Sequence, residues 1–587
     1  MSNLIAGFCK MKSVCSIART VGCSRAKLQT SSSSRWKWHC TPSRSCSAAG
    51  ASRRGETPFV PIDGEVDQSH LDYQTNYIHN YELNEQLTEM LGVVRAGGGE
   101  RAMKKHTERN KKLFIRDRLR LLLDDYDNEF LELSPLCGWE MEYGTIPAGS
   151  NVCGIGKIRG KWCAVSGSDA TIKGGTSYPI TITKQLRLQD ICEQSRIPAI
   201  YIIDSGGAFL PMQSEIFPDK NHGGRVFYKE AILSALGVSQ TAIVCGSCTA
   251  GGAYVPSMAD EAIIVHEIGT IFLGGPPLVQ AATGEVVTAE NLGGATLHCR
   301  VSGVTDHFAA TEEEAFAMGR DAVSTFNVAT PEEPRDWNEP LYSQDEILGL
   351  VSAAGEVEGH MRQILARLVD GSRLHEFKKL FGPTLITGFA FVKGHLVGIA
   401  ANDGPLTHDA AIKGAHFAQL CQHRNVPLVF LQSVSDVEES WAEGDAELLG
   451  ETVRARAGMA SAVACLTVPK ITFLVGNSIG SSSVAMCGAS FDPRFSFMWP
   501  NAKFALMQPG ERARLVAEEY GQPEQEETLR AKYEKQATAI YASSRMWNDG
   551  VIAPQDTRQV LGQCLSILSQ QAASQPFVYE KRAVLRM

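Results

Sequence analysis

Short apolar runs, each followed by a loop rich in Gly and Ser and then by a helical pattern, recur along this sequence. The clearest examples are residues 197–211 and 241–255. Repeated units of strand, loop and helix predict an α/β fold whose strands are largely parallel and buried. Upstream, residues 66–125 are charged and helical in pattern, with a break at Gly97–Gly99, and residues 151–175 read as short strands and turns.

The same order of patterns returns in the C-terminal half. The run at 426–436 corresponds to that at 197–211, and the run at 470–486 corresponds to that at 241–255. Both pairs lie about 230 residues apart. Because two separate pairs share one spacing, the sequence predicts a duplicated domain. A stretch rich in Pro and charge at 331–340 is the expected seam.

The overall composition is that of a globular protein. The chain has 587 residues, of which 44% are hydrophobic and 21% are charged, and its formal net charge is −9. These values exclude a disordered, collagen-like or coiled-coil chain. The lack of an apolar stretch of about 18 residues argues against a membrane helix, and the negative charge argues against a general nucleic-acid binder.

The charge is unevenly distributed along the chain. Residues 1–55 contain no Asp or Glu, ten Lys or Arg and five of the sixteen Cys, and they are rich in Ser. This composition predicts a mitochondrial transit peptide, with a disordered basic tail as the alternative. The rest of the chain then carries 46 basic and 65 acidic residues, a net charge of −19. Its scattered cysteines are typical of free thiols in a reducing compartment.

Two matches to known motifs fail on their context. The segment from Gly476 through Ser478 to Gly480 fits the nucleophile elbow of α/β-hydrolases. In that fold the catalytic His follows the Ser, whereas the last His of this chain is His423. Lys104 follows a Met, as a biotinylated lysine does, yet it stands in a polar helical pattern instead of a β-hairpin. The sequence therefore indicates neither a serine hydrolase nor a biotin-carrying chain.

Two Gly-rich loops remain as candidate chemistry. Gly206-Gly207 follows one apolar strand pattern, and Ala250-Gly251-Gly252 follows the next. Small residues allow a ligand to approach the backbone, and successive N–H groups in such loops can converge on one anion. Side by side, the loops would form an oxyanion hole for a carbonyl oxygen, for example that of a thioester enolate. Plain tight turns are the alternative.

At these loops the sequence resembles a known family. DATIKGGTSYPITITKQLR (169–187), IDSGGAFLP (203–211) and GSCTAGGAYVPSMADEAIIV (246–265) closely resemble methylcrotonoyl-CoA carboxylase β subunits. These subunits belong to the biotin-dependent acyl-CoA carboxyltransferase family. The similarity spans roughly residues 75–580 and continues through GVIAPQDTRQVLG (550–562).

The resemblance implies a fold, a reaction and partners. The fold would be α/β, with two tandem crotonase-like domains, each a ββα spiral, at residues 75–335 and 340–580. The chain would transfer CO₂ from carboxybiotin to 3-methylcrotonoyl-CoA, in leucine breakdown in the mitochondrial matrix. It would form a homo-oligomer, a hexamer, together with biotin-containing α subunits that carry the biotin and the ATP-binding domain. No metal, nucleic acid or membrane is expected to bind.

The resemblance also assigns roles to residues. Gly251 and Gly252 would bind the thioester oxygen of acyl-CoA, and Gly480 and Ser481 would bind the ureido oxygen of carboxybiotin. No side-chain base is expected, because the biotin anion itself would remove the substrate proton. Acyl-CoA would also contact Lys173, Gly174, Gly175, Gly206, Gly207, Ala208, Ala250, Arg373, Phe377, Gly388 and Phe389.

On the biotin side the sequence departs from the family pattern. Residues 435–440 stand where the family has T-G-F-M-V-G. Ile479–Ala485 stand where it has Y-G-A-G-N-Y-G, so that Ser482 replaces a glycine. Pro509, which has no N–H, lies where the family reads M-G-G-E-Q. Six acids that would disfavour a nearby anion are Asp436, Glu438, Glu439, Glu443, Asp445 and Glu447.

Three hypotheses follow from these departures. The first is an active carboxyltransferase subunit with a divergent biotin-side loop. The second is a catalytically weakened paralogue that binds acyl-CoA or co-assembles with carboxylase subunits as a structural or regulatory chain. The third, a hydratase or isomerase that uses the first oxyanion hole alone, lacks an identifiable pair of Glu bases. The replacement of a family glycine by Ser482 also bears on stability. If φ is positive at such a position, serine would destabilise the fold by about 1 kcal/mol or more relative to glycine.

Overall fold

Sixteen strands in two sheets, with nineteen α-helices around them, make up the computed structural model, which describes residues 59–435 and 446–574. The predicted transit peptide (1–55) and the acids at 436–445 lie outside the described residues. The strands are β1 (Val60–Pro61), β2 (Leu131–Leu133), β3 (Asn151–Ile158), β4 (Lys161–Ser168), β5 (Ala199–Ser205), β6 (Gln240–Thr249), β7 (Glu261–Val265), β8 (Thr270–Phe272), β9 (His307–Ala309), β10 (Arg373–Glu376), β11 (Leu385–Val392), β12 (His395–Asn402), β13 (Leu428–Ser435), β14 (Lys470–Ile479), β15 (Phe495–Met498) and β16 (Phe504–Ala505). The helices are α1 (Leu71–Arg95), α2 (Glu100–Lys104), α3 (Ile115–Leu122), α4 (Tyr126–Glu129), α5 (Pro179–Ser195), α6 (Gln213–Ile216), α7 (Gly223–Ala235), α8 (Tyr254–Met258), α9 (Pro276–Thr283), α10 (Ala289–Gly293), α11 (Ala295–Leu297), α12 (Glu312–Thr325), α13 (Met361–Leu368), α14 (His408–Arg424), α15 (Ala446–Ala464), α16 (Pro509–Glu519), α17 (Glu526–Ala537), α18 (Ala539–Ser544) and α19 (Thr557–Ser574).

The first sheet belongs to the N-terminal half and has the order β2-β3-β4-β5-β6-β7-β9, with β8 beside β6. β2, β3 and β4 are antiparallel, and the remaining pairs are parallel. Every residue of β5 is buried, as expected for a parallel strand that is covered on both faces. The strand, loop and helix units predicted at 197–211 and 241–255 are therefore present.

The second sheet repeats this arrangement. An antiparallel pair, β11 and β12, is followed by parallel β13, β14 and β15, with β16 beside β14. The pairing of β5 with β6 shifts register between Ile203 and Ser205, and that of β13 with β14 shifts between Gln432 and Val434. The duplication predicted from the sequence spacing thus extends to a matching irregularity. The domain boundaries 75–335 and 340–580 stay predictions.

The chain ends connect the two halves. β1 precedes the first sheet in sequence but pairs with β10 of the second. From α19, the Gln570 side chain accepts a hydrogen bond from the Trp162 N–H at 2.7 Å and donates one to the Trp162 carbonyl oxygen at 2.9 Å. Arg187 of α5 pairs with Asp549 at 2.7 Å. Buried residues of both sheets belong to one hydrophobic cluster, so the halves share a core.

Smaller features of the chain also match their sequence patterns. α1 ends at Arg95 and α2 begins at Glu100, so the break at Gly97–Gly99 is confirmed. Lys104 is an exposed helix residue that pairs with Glu100 at 2.7 Å, as the polar helical pattern indicated. The eleven cysteines of the described ranges are free thiols. Within the same ranges, no helix is long and apolar enough to cross a membrane.

Candidate active site

A cavity of about 290 Å³ lies beside β5, between α5, α7 and the loops that follow β5 and β6. Ligands of parallel α/β sheets commonly bind outside the carboxyl ends of the strands, and both loops lie at such ends. Seven of the residues predicted to bind substrate or form the oxyanion hole line this cavity: Gly175, Gly206, Gly207, Ala208, Ala250, Gly251 and Gly252.

The loop after β5 is held against the segment that contains Lys173 and Gly174. The Gly206 N–H donates to the Gly174 carbonyl oxygen at 3.0 Å, and the Ser177 N–H donates to that of Gly207 at 2.8 Å. Gly175 has φ +68°, and a Cβ there would lie 2.2 Å from the Asp204 carbonyl oxygen. Only glycine fits this close approach, so the predicted residues 173–175 and 206–207 form one unit.

The turn after β6 presents the predicted oxyanion donors. Ala250–Ala253 form a 3₁₀ turn, and the first N–H groups of such a turn have no partner within it. Neither Gly251 nor Gly252 has a positive φ, whereas Ala250 has φ 53°. A Cβ on Gly252 would meet nothing within 4 Å. Glycine at these two positions therefore leaves room for a ligand and does not serve to permit an unusual backbone angle.

A buried ion-pair network supports the β5 loop from below. Arg118, on α3, is fully buried and donates to both carboxylate oxygens of Glu312, at 2.6 and 3.2 Å. It also donates to Asp204 at 3.4 Å and to the Cys245 carbonyl oxygen at 2.9 Å. Lys112 pairs with Asp204 at 2.9 Å. Because Asp204 directly precedes Ser205 and the Gly-rich loop, this network holds the end of β5, from which the loop begins, in position.

Glu230, on α7, lines the inner part of the cavity and was not expected from the sequence. Its side chain is fully buried, and neither carboxyl oxygen has a hydrogen-bond partner among the described residues. Burial raises the pKa of the Glu230 carboxyl to about 8. A signal was available, since Glu230 shares a helix face with the buried residues Val226 and Leu233. An acid within an apolar helix face is unusual.

The corresponding turn in the second half differs in its hydrogen bonds. β6 and β14 have ten residues each, so Ser481 and Ser482 take the positions of Gly251 and Gly252. Gly480, with φ +110°, takes the position of Ala250, and its N–H donates to the Ala505 carbonyl oxygen at 2.9 Å. That N–H is therefore paired within the protein, and the role of Gly480 and Ser481 as donors to carboxybiotin stays a prediction.

The structure changes two further expectations about the biotin side of the site. Ser481 and Ser482 do not have positive φ, so the backbone strain expected from replacing glycine does not arise there. Each nevertheless adds a hydroxymethyl group at a position where the first half has glycine. Pro509 is the first residue of α16, a position where the missing N–H would have no helical partner in any case.

Lys173 and Gly174 adjoin Gly175 but are not among the lining residues, and the four remaining predicted substrate residues lie on or next to the second sheet, away from this lining. Gly388 of β11 pairs with Glu376 of β10. Phe389 is 4% exposed, and its ring centroid lies 5.1 Å from that of Phe417. Phe377 packs on the same ring at 5.6 Å. Arg373 donates to the Phe59 carbonyl oxygen at 2.7 Å. In the described part of the chain, no group of three or more His, Cys, Asp or Glu is arranged to hold a metal.

Comparison with known proteins shows the class to which this fold belongs, that of carboxyltransferases. The carboxyl transferase domain family matches residues 105–585, and the chain belongs to this family. The mitochondrial methylcrotonoyl-CoA carboxylase beta chain of Dictyostelium discoideum is 45% identical over 542 residues, covering 88% of this chain and 90% of that one. The beta1 subunit of the biotin-dependent 3-methylcrotonyl-coenzyme A carboxylase of Mycobacterium tuberculosis is 46% identical, covering 82% and 93%.

A solved structure extends the comparison to three dimensions. The β subunit of geranyl-CoA carboxylase from P. aeruginosa superimposes with a TM-score of 0.79 at 35% identity, covering 90% of this chain and all of that one. The crotonase-like fold expected from the sequence is therefore confirmed.

Proposed function

We propose that this chain is the carboxyltransferase (β) subunit of a biotin-dependent carboxylase that acts on 3-methylcrotonoyl-CoA in leucine catabolism. The observation that carries the proposal is the meeting of seven predicted residues, from three separate loops, around one cavity. The names and high coverage of the methylcrotonyl-type relatives support the choice of substrate.

In this proposal the residues of the chain bind the thioester and stabilise charge. The N–H groups of Gly251 and Gly252 hold the thioester oxygen while it gains negative charge. Removal of one such donor in other enzymes costs about 10²–10³ in rate. The apolar walls of the cavity exclude water from the carbanion. Biotin, carried by a partner chain, supplies the carboxyl group, and no side chain of the cavity is required as a base.

The partners and the compartment are part of the same proposal. The chain would assemble as a homo-hexamer with a biotin-containing α subunit, and residues 75–335 and 340–580 would be its two carboxyltransferase domains. The relatives named as mitochondrial support a mitochondrial location. The composition of residues 1–55 supports import to the matrix.

A second function, that of a catalytically weakened paralogue, is favoured by two features of the turn in the second half. The Gly480 N–H is paired with Ala505, and serines occupy the two positions that are glycines in the first half. A chain of this kind would keep acyl-CoA binding at Gly251 and Gly252 but transfer carboxyl groups slowly. It would then act within a carboxylase assembly as a structural or regulatory chain.

One experiment separates the two functions. The full-length protein is purified with a biotin-containing α subunit and incubated with 3-methylcrotonoyl-CoA, ATP and bicarbonate. Carboxylated product at a rate typical of carboxylases supports the first function. Binding of acyl-CoA or of the α subunit with little product supports the second, and the absence of binding to both would overturn both functions. Gly251→Val, which fills the oxyanion turn, serves as the inactive control.

A further inference from the structure

We infer that the inner end of the cavity recognises a hydroxyl group at the far end of a medium-length acyl chain, through Glu230 and Gln189. The inference rests on the proposed function, because it assumes that the acyl-CoA thioester lies at Gly251 and Gly252. Under this inference the protein would bind a second class of ligand, acyl-CoA with a distal hydroxyl group, in addition to 3-methylcrotonoyl-CoA with its short branched acyl group.

The cavity extends well beyond the thioester position. Tyr201, Ile203 and Ser205 alternate along β5, and all three line it. At about 3.3 Å per residue, Tyr201 lies roughly 13 Å from Ser205 along the strand. A chain of about ten carbon atoms spans such a distance, because an extended chain advances about 1.3 Å for each C–C bond of about 1.5 Å. The acyl group of 3-methylcrotonoyl-CoA is much shorter.

The walls between the two ends suit a hydrocarbon chain. Apolar side chains from α5, α6 and α7 face the strand across the cavity. A chain with polar groups along its length would leave those groups unpaired against such walls. The apolar residues that line the cavity include Leu188, Cys192, Ile203, Ile216, Val226 and Phe227.

Glu230 lies at the inner end of this path. A Cβ placed on Gly251 would be 3.8 Å from the tip of the Phe227 ring, and Glu230 follows Phe227 by three residues, about 4.5 Å along α7. The Glu230 carbonyl oxygen accepts from Gln240 at 2.8 Å, and the Gln240 side chain accepts from the Tyr201 hydroxyl at 2.9 Å. Glu230 is therefore level with Tyr201, the inner end of the strand path.

Three buried polar atoms of residues that line the cavity have no hydrogen-bond partner in the described residues. They are both carboxyl oxygens of Glu230 and Oε1 of Gln189, and both residues line the cavity. Gln189 is itself 2% exposed, and its Nε2 donates to the Val226 carbonyl oxygen at 3.1 Å, which leaves Oε1 as an acceptor. Buried polar atoms in native proteins are nearly always paired, so a group that pairs them is expected here.

A hydroxyl group is the ligand chemistry that fits these atoms. Because burial raises the pKa of the Glu230 carboxyl to about 8, this group is mostly protonated at neutral pH, when it can donate one hydrogen bond and accept another. A ligand hydroxyl group can accept the hydrogen bond from the protonated Glu230 carboxyl and donate one back to it. Alternatively, it can accept from Glu230 and donate to Oε1 of Gln189. An ionised carboxylate on the ligand would have to be buried without a cation, which is unfavourable.

The test measures binding of a matched pair of ligands to the full-length protein. Decanoyl-CoA and 10-hydroxydecanoyl-CoA have equal chain length, and 3-methylcrotonoyl-CoA reports on the thioester site alone. Dissociation constants are measured by titration calorimetry for the wild type, Glu230→Leu and Glu230→Gln. The control is Glu193→Gln. Glu193 lies on α5, and its side chain is 38% exposed and pairs with Lys229.

The wild type should bind the hydroxylated chain at least about tenfold more tightly than decanoyl-CoA. Glu230→Leu should abolish or reverse this preference, Glu230→Gln should keep it because an amide also donates and accepts, and Glu193→Gln should not change it. All four proteins should bind 3-methylcrotonoyl-CoA alike. Equal binding of the two long chains by the wild type, or binding of neither, would overturn the inference alone. If the wild type did not bind 3-methylcrotonoyl-CoA, the proposed function would be overturned as well.

Discussion

Replacing Arg118 by Met should strongly destabilise the N-terminal half. Arg118 is fully buried, and its partners Glu312 and Asp204 have side chains 4% and 5% exposed. Met has a similar length but no charge, so both carboxylates would lose a buried cation. Lys112 and the Leu113 N–H would still contact Asp204 and Glu312, and neither replaces the guanidinium group.

The expected loss follows from the burial of the pair. Breaking a buried ion pair by removing one partner costs about 3–5 kcal/mol, because the remaining charge is left without compensation. This corresponds to about two to four powers of ten in the unfolding equilibrium, at about 1.4 kcal/mol per tenfold. Since Asp204 precedes the loop at Gly206–Gly207, we also expect the KM for acyl-CoA to rise.

Urea denaturation, followed by circular dichroism, measures the change in the free energy of unfolding. Arg120→Met is the matched control, because Arg120 lies on the same helix but is 49% exposed, and its pair with Asp117 is a surface pair. Such pairs contribute about 0–1 kcal/mol. A loss below about 1 kcal/mol for Arg118→Met, equal to that of Arg120→Met, would refute the reasoning.

Three other predictions concern the two sides of the site. Because the pKa of the Glu230 carboxyl is about 8 against an ordinary value of 4.5, the contribution of this group to stability is full below about pH 4.5 and decreases as the pH rises towards 8. The slope is at most about 1.4 kcal/mol per pH unit, and Glu230→Gln should lack this slope in urea titrations between pH 5 and 8. Gly175→Ala should cost about 1–3 kcal/mol and raise the KM for acyl-CoA, because its Cβ would lie 2.2 Å from a carbonyl oxygen. Gly174 has a similar φ of +71° but open space where a Cβ would lie. Gly174→Ala should therefore affect the stability and the KM less than Gly175→Ala does, and equal effects would contradict the steric explanation. The double variant Ser481→Gly with Ser482→Gly should raise kcat for carboxylation in the presence of an α subunit while leaving the KM for acyl-CoA unchanged. An unchanged kcat would show that the serines do not limit transfer.

The two halves illustrate how one fold supports two different sites. Their central strands share a register shift, and each is followed directly or after one residue by a 3₁₀ turn. In the first half the turn carries glycines beside an open cavity. In the second half it carries serines, and the preceding N–H is paired with the carbonyl of Ala505. The duplicated core therefore keeps the backbone similar, whereas the two turns differ in their side chains and hydrogen bonds.

Several features of this protein could be read from its sequence because they depend on neighbouring residues. Apolar strand patterns and Gly-rich loops at 197–211 and 241–255 are local signals, and the spacing of about 230 residues revealed the duplication. The loop residues from Gly206 to Gly252 could be placed together, because carboxyl ends of adjacent parallel strands meet at one edge of a sheet. The resemblance to a family then supplied the chemistry that the loops alone left open.

The tertiary structure decided which groups are paired and which are buried. Arg118 contacts Asp204, Cys245 and Glu312, which are 86, 127 and 194 residues away, and no local pattern reports such contacts. The pairing of Gly480 with Ala505 depends on how β16 lies beside β14. The helix pattern places Glu230 on a face with apolar residues, but only the fold shows that its carboxyl group is buried beside β5 without a partner among the described residues. Hydrogen bonding and desolvation depend on distances in space, and only packing brings distant residues within a few ångströms.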